Sequence, residues 1–168
     1  MKVTARYLSH RSFVYSDYCI ACHHCNKINY VVTATGEGGG TFSHPWTAAP
    51  AWIIPRFLMG IRPLADGWRR VAIRPLPGRL LQSASITVLT PRGVVSVAFN
   101  ATVSTFSATI TVPGNTIAQI CLPRYLFEAH ALCTVSAHGA PVSAENAGAL
   151  LCLREDVGGG IHLVTMAC

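Results

Sequence analysis

The chain has 168 residues, 51% hydrophobic and only 12% charged, a balance that excludes a disordered chain and allows one domain with a substantial core. Its 13 Lys+Arg outnumber its 7 Asp+Glu for a formal charge of +6, yet only two of those cations are lysines and the arginines are scattered, adjacent only at Arg69 and Arg70. Nucleic-acid binding needs cations clustered over successive phosphates, and a membrane span needs an apolar run of roughly 18 residues; the sequence has neither, so neither nucleic acid nor membrane is an expected partner.

Residues 1–40 read as an irregular N-terminal segment, rich in Cys, His, Tyr and Gly. The opening "MKVTARYLSHRSFVYSDY" has a positive start but no continuous apolar stretch, so it lacks the pattern of a secretory leader and leaves the compartment open. "CIACHHC" places Cys19, Cys22 and Cys25 beside His23 and His24. Thiolates and imidazoles at that spacing can ligate zinc, and "CIACH" also fits c-type haem attachment. A structural zinc site draws a second ligand pair from further along the chain, and none is evident, so no metal or cofactor is expected; a Cys/His metal-binding protein stands as an alternative. "GEGGG" ends the segment as a flexible link, without the Lys-Ser/Thr of a phosphate loop.

Residues 41–62, "TFSHPWTAAPAWIIPRFLMGIR", read as helical. Ser43 can cap, its hydroxyl accepting from a first-turn N–H, and Pro45 falls near the first helical position, where a missing N–H costs little. Pro50 and Pro55 each remove a backbone bond and predict a kink or two short pieces. Trp52, Ile53, Phe57 and Leu58 keep helical spacing, and Gly60 can end the helix. The stretch is apolar nearly all round, which predicts a buried helix.

From residue 68 the pattern changes to strands and turns. "RRVAIRP" alternates, with Val71 and Ile73 on one face; "SASITVLTP" and "GVVSVAFN" flank the turn "TPRG"; "STFSATITVP" puts Phe106, Ala108, Ile110 and Val112 on one face. "TIAQICLP", "ALCTVSAHG" and "GIHLVTMA" complete about seven strands, the pattern of an antiparallel sandwich of about a hundred residues. "GAPVSAENAGALLCLREDVGGG" reads as a loop-rich crossing between the last of them. Cys121 and Cys152 lie in apolar strands and read as small core residues; Cys133 can pair with Cys152 if their strands are neighbours. Seven cysteines leave at least one unpaired.

The candidate chemistry is sparse. No Gly-x-Ser-x-Gly elbow offers an activated serine. Glycoside hydrolysis needs two carboxyl groups flanking a bond, but the acids are Asp17, Glu37, Asp66, Glu128, Glu145, Glu155 and Asp156, and only the first two precede the helix. His44, just ahead of that helix, is a capped structural histidine or a group that holds a ligand. Trp46 is core, or an apolar platform for a sugar face.

The order of parts carries a more specific signal. "TFSHPWTAAPAWIIPRFLMGIRPLADGWRRVAIRPLPG" resembles the end of the catalytic domain of bacterial and fungal α-L-rhamnosidases. "LQSASITVLTPRGVVSVAFN", "FSATITVPGNTIAQICLP" and "PVSAENAGALLCLREDVGGGIHLV" resemble the family's C-terminal β-sandwich. The resemblance implies a mainly β chain: an antiparallel β-sandwich, residues 67–168, preceded by a helical remnant of an (α/α)6 barrel, residues 41–66. It implies an inverting glycosidase that removes terminal α-L-rhamnose, with a rhamnose-containing glycoside as partner of the full-length enzyme. His44 matches the family's substrate-contacting histidine, and Trp46 is the second substrate-binding candidate. The general acid of such enzymes lies far upstream, and "YVVTATGEGGG" carries no motif of the general base, so Glu37 is given no catalytic role. The chain is therefore expected to be a C-terminal piece with little activity alone, its apolar helix covered by the absent barrel or by self-association. A non-catalytic carbohydrate-binding or structural sandwich is the rival; it needs a row of exposed aromatics.

Overall fold

The computed structural model describes residues 3–7, 49–127 and 132–168. After β1 (Val3–Tyr7) the described chain resumes in a short helix, α1 (Ala49–Ile53), that widens into a single π-turn over Ile54–Leu58. The Met59 N–H reaches back to the Ile54 carbonyl at 2.9 Å, five residues away. Pro55 explains the widening: it has no N–H to give to Ala51, and its ring crowds that carbonyl in an α-turn. Sequence reasoning anticipated the break but not its form. It also expected the apolar surface, in this chain, to lie partly on the sandwich and partly in solvent, and that split is found. Trp52, Ile53 and Phe57 are exposed, and only Ile54 and Leu58 lean on the core.

Gly60 ends the helix with φ +64°, a conformation that penalises a Cβ. The reversal leads into β2 (Ile61–Pro63), a 3-10 turn (Asp66–Trp68) and β3 (Arg70–Ile73). The remaining strands are β4 (Leu81–Thr90), β5 (Gly93–Ala101), β6 (Thr105–Val112), β7 (Ile117–Leu122), β8 (Thr134–Ala137), β9 (Ala140–Pro141), β10 (Ala144–Ala147), β11 (Leu150–Leu153) and β12 (Gly160–Ala167).

They form two sheets, as a sandwich requires. The wide sheet runs β1-β4-β5-β6-β12-β8-β9, antiparallel throughout. The narrow sheet runs β10-β11-β7-β3-β2 and contains one parallel pair, β3 with β7, which the antiparallel expectation did not include. Between them lies one core. Phe106, Ala108, Ile110 and Val112 of β6, all on the predicted face, meet Val71, Ile73, Ile120 and Leu122 of the narrow sheet. Phe99 stacks on Phe106 with ring centroids 5.3 Å apart.

Three local findings depart from the sequence reading. Val3–Tyr7, within the segment expected to be irregular, pairs with β4, and the register slips between Arg6 and Tyr7. The slip leaves Gln82 without a partner as a bulge, which is why Leu81 and Ala84, of opposite parity, are both buried. The expected loop-rich crossing 139–160 contains β9 and the β10–β11 hairpin, closed at Gly148 with φ +64°. Finally, Cys121 pairs with Cys152 and Cys133 with Cys168. Cys121 and Cys152 are buried as expected, but as a cystine, and the suggested pairing of Cys133 with Cys152 does not form.

Candidate functional site

The sequence-derived substrate residues His44 and Trp46 lie outside the described residues, as do Cys19, Cys22, Cys25, His23 and His24. The helix they would lead into can be followed from Ala49, and its far end docks on the chain that leaves β3. Gly60 sits against β3: the Arg74 N–H donates to the Gly60 carbonyl at 3.2 Å, and the Leu76 N–H donates to the Leu58 carbonyl at 2.8 Å. A Cβ on Gly60 would stand 1.9 Å from the Arg74 carbonyl oxygen. The Gly-Ile-Arg-Pro exit is thus a backbone-to-backbone docking that only glycine permits.

The helix end also carries an exposed aromatic and cationic patch. The Trp52 and Phe57 rings meet edge to face at 5.2 Å. The Arg56 guanidinium stands 5.1 Å from the Trp52 centroid, and that of Arg62 5.0 Å from Phe57. Arg62 Nε also donates to the Arg56 carbonyl at 3.0 Å, fixing β2 to the helix. The i, i+5 spacing of Trp52 and Phe57 suits the π-turn, which brings the two rings to one side. Sequence reasoning named both residues for helical periodicity and missed the patch, because an α-helical wheel separates them.

A second feature lies at one end of the sandwich. A cavity of about 480 Å³ is lined by Arg79, Arg124, Tyr125, Leu126, Phe127 and Ala149, among others. The Tyr125 hydroxyl accepts from the Gly78 N–H at 3.2 Å. Burial pushes the phenol's pKa above its ordinary value, against a smaller opposing effect of that hydrogen bond. Arg124 donates to the Asn146 side-chain oxygen at 3.1 Å. Among the described lining residues there is no carboxylic acid. The site can hold a polar or anionic group but has no acid–base pair.

Of the described acids, Glu155 and Asp156 share a cavity, one of about 510 Å³ bounded by Val142 and Leu153 among others. Asp66 is exposed in the 3-10 turn and Glu145 on β10. Glu155 and Asp156 are adjacent on the bend after β11, and Asp156 accepts from Arg70 Nε at 2.6 Å. That hydrogen bond, and then the charge of Asp156, raise the Arg70 pKa. Among the described residues no group of three His, Cys, Asp or Glu is placed to hold a metal ion. Arginine has other uses here. Arg92, in the hairpin turn, donates to the Gly67 carbonyl at 2.6 Å and the Asn115 carbonyl at 2.7 Å, tying three turns together.

Residues 60–128 match the family model described as the bacterial alpha-L-rhamnosidase C-terminal domain. The chain is 34% identical over 109 residues to an alpha-L-rhamnosidase of Streptomyces avermitilis, a match covering 65% of this chain and 10% of that protein. A crystal structure of Streptomyces avermitilis alpha-L-rhamnosidase complexed with L-rhamnose superposes with TM-score 0.54 and 31% identity, over 74% of this chain and 11% of that one. The alpha-L-rhamnosidase structure from Dictyoglumus thermophilum superposes with TM-score 0.62 over 73% of this chain and 14% of that one; at 22% identity it supports the fold alone. The chain spans about a tenth of the length of the curated relative it matches. The matched segment, the sequence identity and the superposed sandwich agree that residues 60–128 carry the C-terminal domain described for bacterial α-L-rhamnosidases.

Proposed function

We propose that this chain supplies the C-terminal sandwich of an α-L-rhamnosidase-like glycoside hydrolase, whose full-length form removes terminal α-L-rhamnose from a glycoside. The observation that carries this is the coincidence of the family match over residues 60–128 with the sandwich core and the Gly60 junction that enters it. The sandwich's part is structural. Glu155 and Asp156 line one cavity of about 510 Å³, but they are consecutive residues on one bend, and among the described residues no other acid lines it from the opposite side, as inverting hydrolysis requires. In this reading residues 41–66 close a helical domain and 67–168 cap it, and residues 1–40 have no assigned role.

The exposed Trp52, Ile53 and Phe57 then have an occupant: the neighbouring helices of that domain, which in this reading lie in the part of the relatives' length that the chain does not span. Ahead of them, His44 is the residue proposed to hold a rhamnose hydroxyl through a ring nitrogen, with Trp46 as an apolar wall. A carbohydrate-binding sandwich receives less support, because Phe99, Phe106 and Phe127 are all buried in the core.

The test is hydrolysis of an aryl α-L-rhamnoside by the chain alone and by the same chain joined to a helical rhamnosidase domain. We expect no turnover alone and turnover in the joined form that His44→Ala reduces. Turnover by the chain alone that is abolished by His44→Ala or Glu37→Gln would defeat the structural role.

A further inference from the structure

We propose that Cys121–Cys152 and Cys133–Cys168 are structural cystines on which the sandwich depends, and that the chain therefore folds and works in an oxidising compartment. All four cysteines among the described residues are paired, and the pairs lie in different parts of the fold. Persistent cystines of this kind belong to extracytoplasmic settings, since thiol buffers reduce them elsewhere.

Each cystine sits at the end of a hydrogen-bonded ladder. The β10–β11 hairpin joins the narrow sheet through a ladder of only Leu151 with Leu122 and Cys152 with Cys121. Cys121 and Cys152 are themselves one of those pairs, so the bond closes the ladder covalently. Beyond it the hairpin is held by the Tyr125 N–H to the Ala149 carbonyl at 3.1 Å and by Arg124 to Asn146. At the other end of the molecule the β8–β12 ladder stops at Ala167 with Thr134. Cys133 and Cys168 are the next residues on each strand, so their bond seals the end of this ladder against fraying. The Cys168 N–H also donates to the Ser104 carbonyl at 3.0 Å.

Burial separates the Cys121–Cys152 cystine from a regulatory switch, while Cys133 and Cys168 are half-buried. Cys121 is fully buried and Cys152 nearly so, out of reach of a soluble thiol while the domain is folded. The balance of formation is simple. For each bond two thiols give up two electrons and two protons to a disulfide oxidant, a dithiol oxidase or a small disulfide such as oxidised glutathione, which leaves as two thiols.

Peptide mapping tests the pairing. The full chain is unfolded without reductant, free thiols are blocked with N-ethylmaleimide, and the protein is digested. Trypsin alone leaves Cys133 and Cys152 together on residues 125–154, so cleavage after Glu145 is needed to separate them. The expected products join 93–124 to 146–154 and 129–145 to 156–168. Blocked thiols at these four positions, or a Cys133–Cys152 link, would overturn the assignment. The compartment is tested by expressing the same chain with an export leader and in a reducing cytosol. The exported protein should melt roughly 10 °C higher for each cystine formed. Aggregation of the cytosolic form, rescued by refolding with oxidised glutathione, would agree. Equal melting temperatures with four free thiols in the cytosolic form would sink the proposal. The double variants Cys121→Ala/Cys152→Ala and Cys133→Ala/Cys168→Ala separate the two bonds. Failure here leaves the rhamnosidase reading untouched.

Discussion

The two outer faces of the sandwich are built from different chemistry. Across the wide sheet the register aligns Thr87, Ser96, Thr111 and Ile161, then Ser85, Ala98, Thr109 and Leu163, then Ser83, Asn100, Ser107 and Thr165. These rows hold hydroxyls, an amide and methyls, without a charge. Across the narrow sheet the register sets Arg62 beside Ala72 and Ala72 beside Gln119, with Arg70 and Arg74 flanking on the same face, and ends at the Cys121–Cys152 cystine and Glu145. The difference teaches how each sheet is secured. Long antiparallel ladders need only β-formers outside and a packed core inside. Strands of three to six residues rely less on ladders, and the narrow sheet adds guanidinium bonds and a glycine docking; each sheet carries one cystine, the wide one only at its β8–β12 edge.

The largest test of that contrast is Gly60→Ala. The new methyl meets a backbone carbonyl rather than a mobile side chain, and the positive φ adds its own penalty. We expect a loss above about 4 kcal/mol in urea denaturation, the range reserved for such steric and backbone faults. A loss under about 1 kcal/mol would mean that the helix end undocks from β3 at little cost.

The guanidinium bonds come next. Arg74 Nη2 donates to the Gln119 side-chain oxygen, while its Nε is buried without a partner. Gln119→Leu strips the bond and leaves the cation with less, so it should cost about 1–3 kcal/mol. Arg74→Met removes the cation together with its unpaired N–H, so it should cost less than Gln119→Leu, under about 1 kcal/mol. The reverse order by chemical denaturation would show that the charge itself stabilises this face.

The two faces were unequally legible in the sequence. Phe106, Ala108, Ile110 and Val112 alternate without interruption, and the wide sheet's central strands follow from that period alone. β10 and β11 were hidden because "AENAGALLCL" has four small or polar residues on an edge strand and a continuous apolar run beside it, so no period of two is visible. The parallel pairing of β3 and β7 is a long-range fact that local pattern does not encode. The same holds for the cystines: Cys121 and Cys152 looked apolar because they are buried, and their pairing depends on which strands are neighbours. At the helix end the motif marked Gly60 correctly as a stop, but the patch of Trp52 and Phe57 depended on a π-turn that a helical wheel misplaces.

On the wide sheet a surface change should do little. Thr109 is exposed on β6, between Ala98 and Leu163. Thr109→Val keeps the β-branched shape and makes no change to the ladder, so we expect a shift within about 0.5 kcal/mol. A larger loss would reveal a hydroxyl network on this face and erase the contrast with the narrow sheet.

The smallest expected effect lies where the chain crosses between the sheets. Tyr125 follows β7 of the narrow sheet, and its hydroxyl accepts from Gly78 on the connection to β4 of the wide one. Its pKa is raised above 10.0, chiefly by burial, so the folded state holds the phenolic proton more tightly than the unfolded chain does. The sign follows: this contribution is fully present below the ordinary tyrosine range and is lost as pH rises through the raised folded value. Ultraviolet titration should show one phenol ionising later than the rest, and Tyr125→Phe should remove that late component. The variant should also lose less stability than the wild-type protein on going from neutral to strongly alkaline pH. If the late component survives in Tyr125→Phe, the crossing is not sealed from solvent by this side chain, and the joint between the two sheets rests on the Tyr125 backbone bond to Ala149 instead.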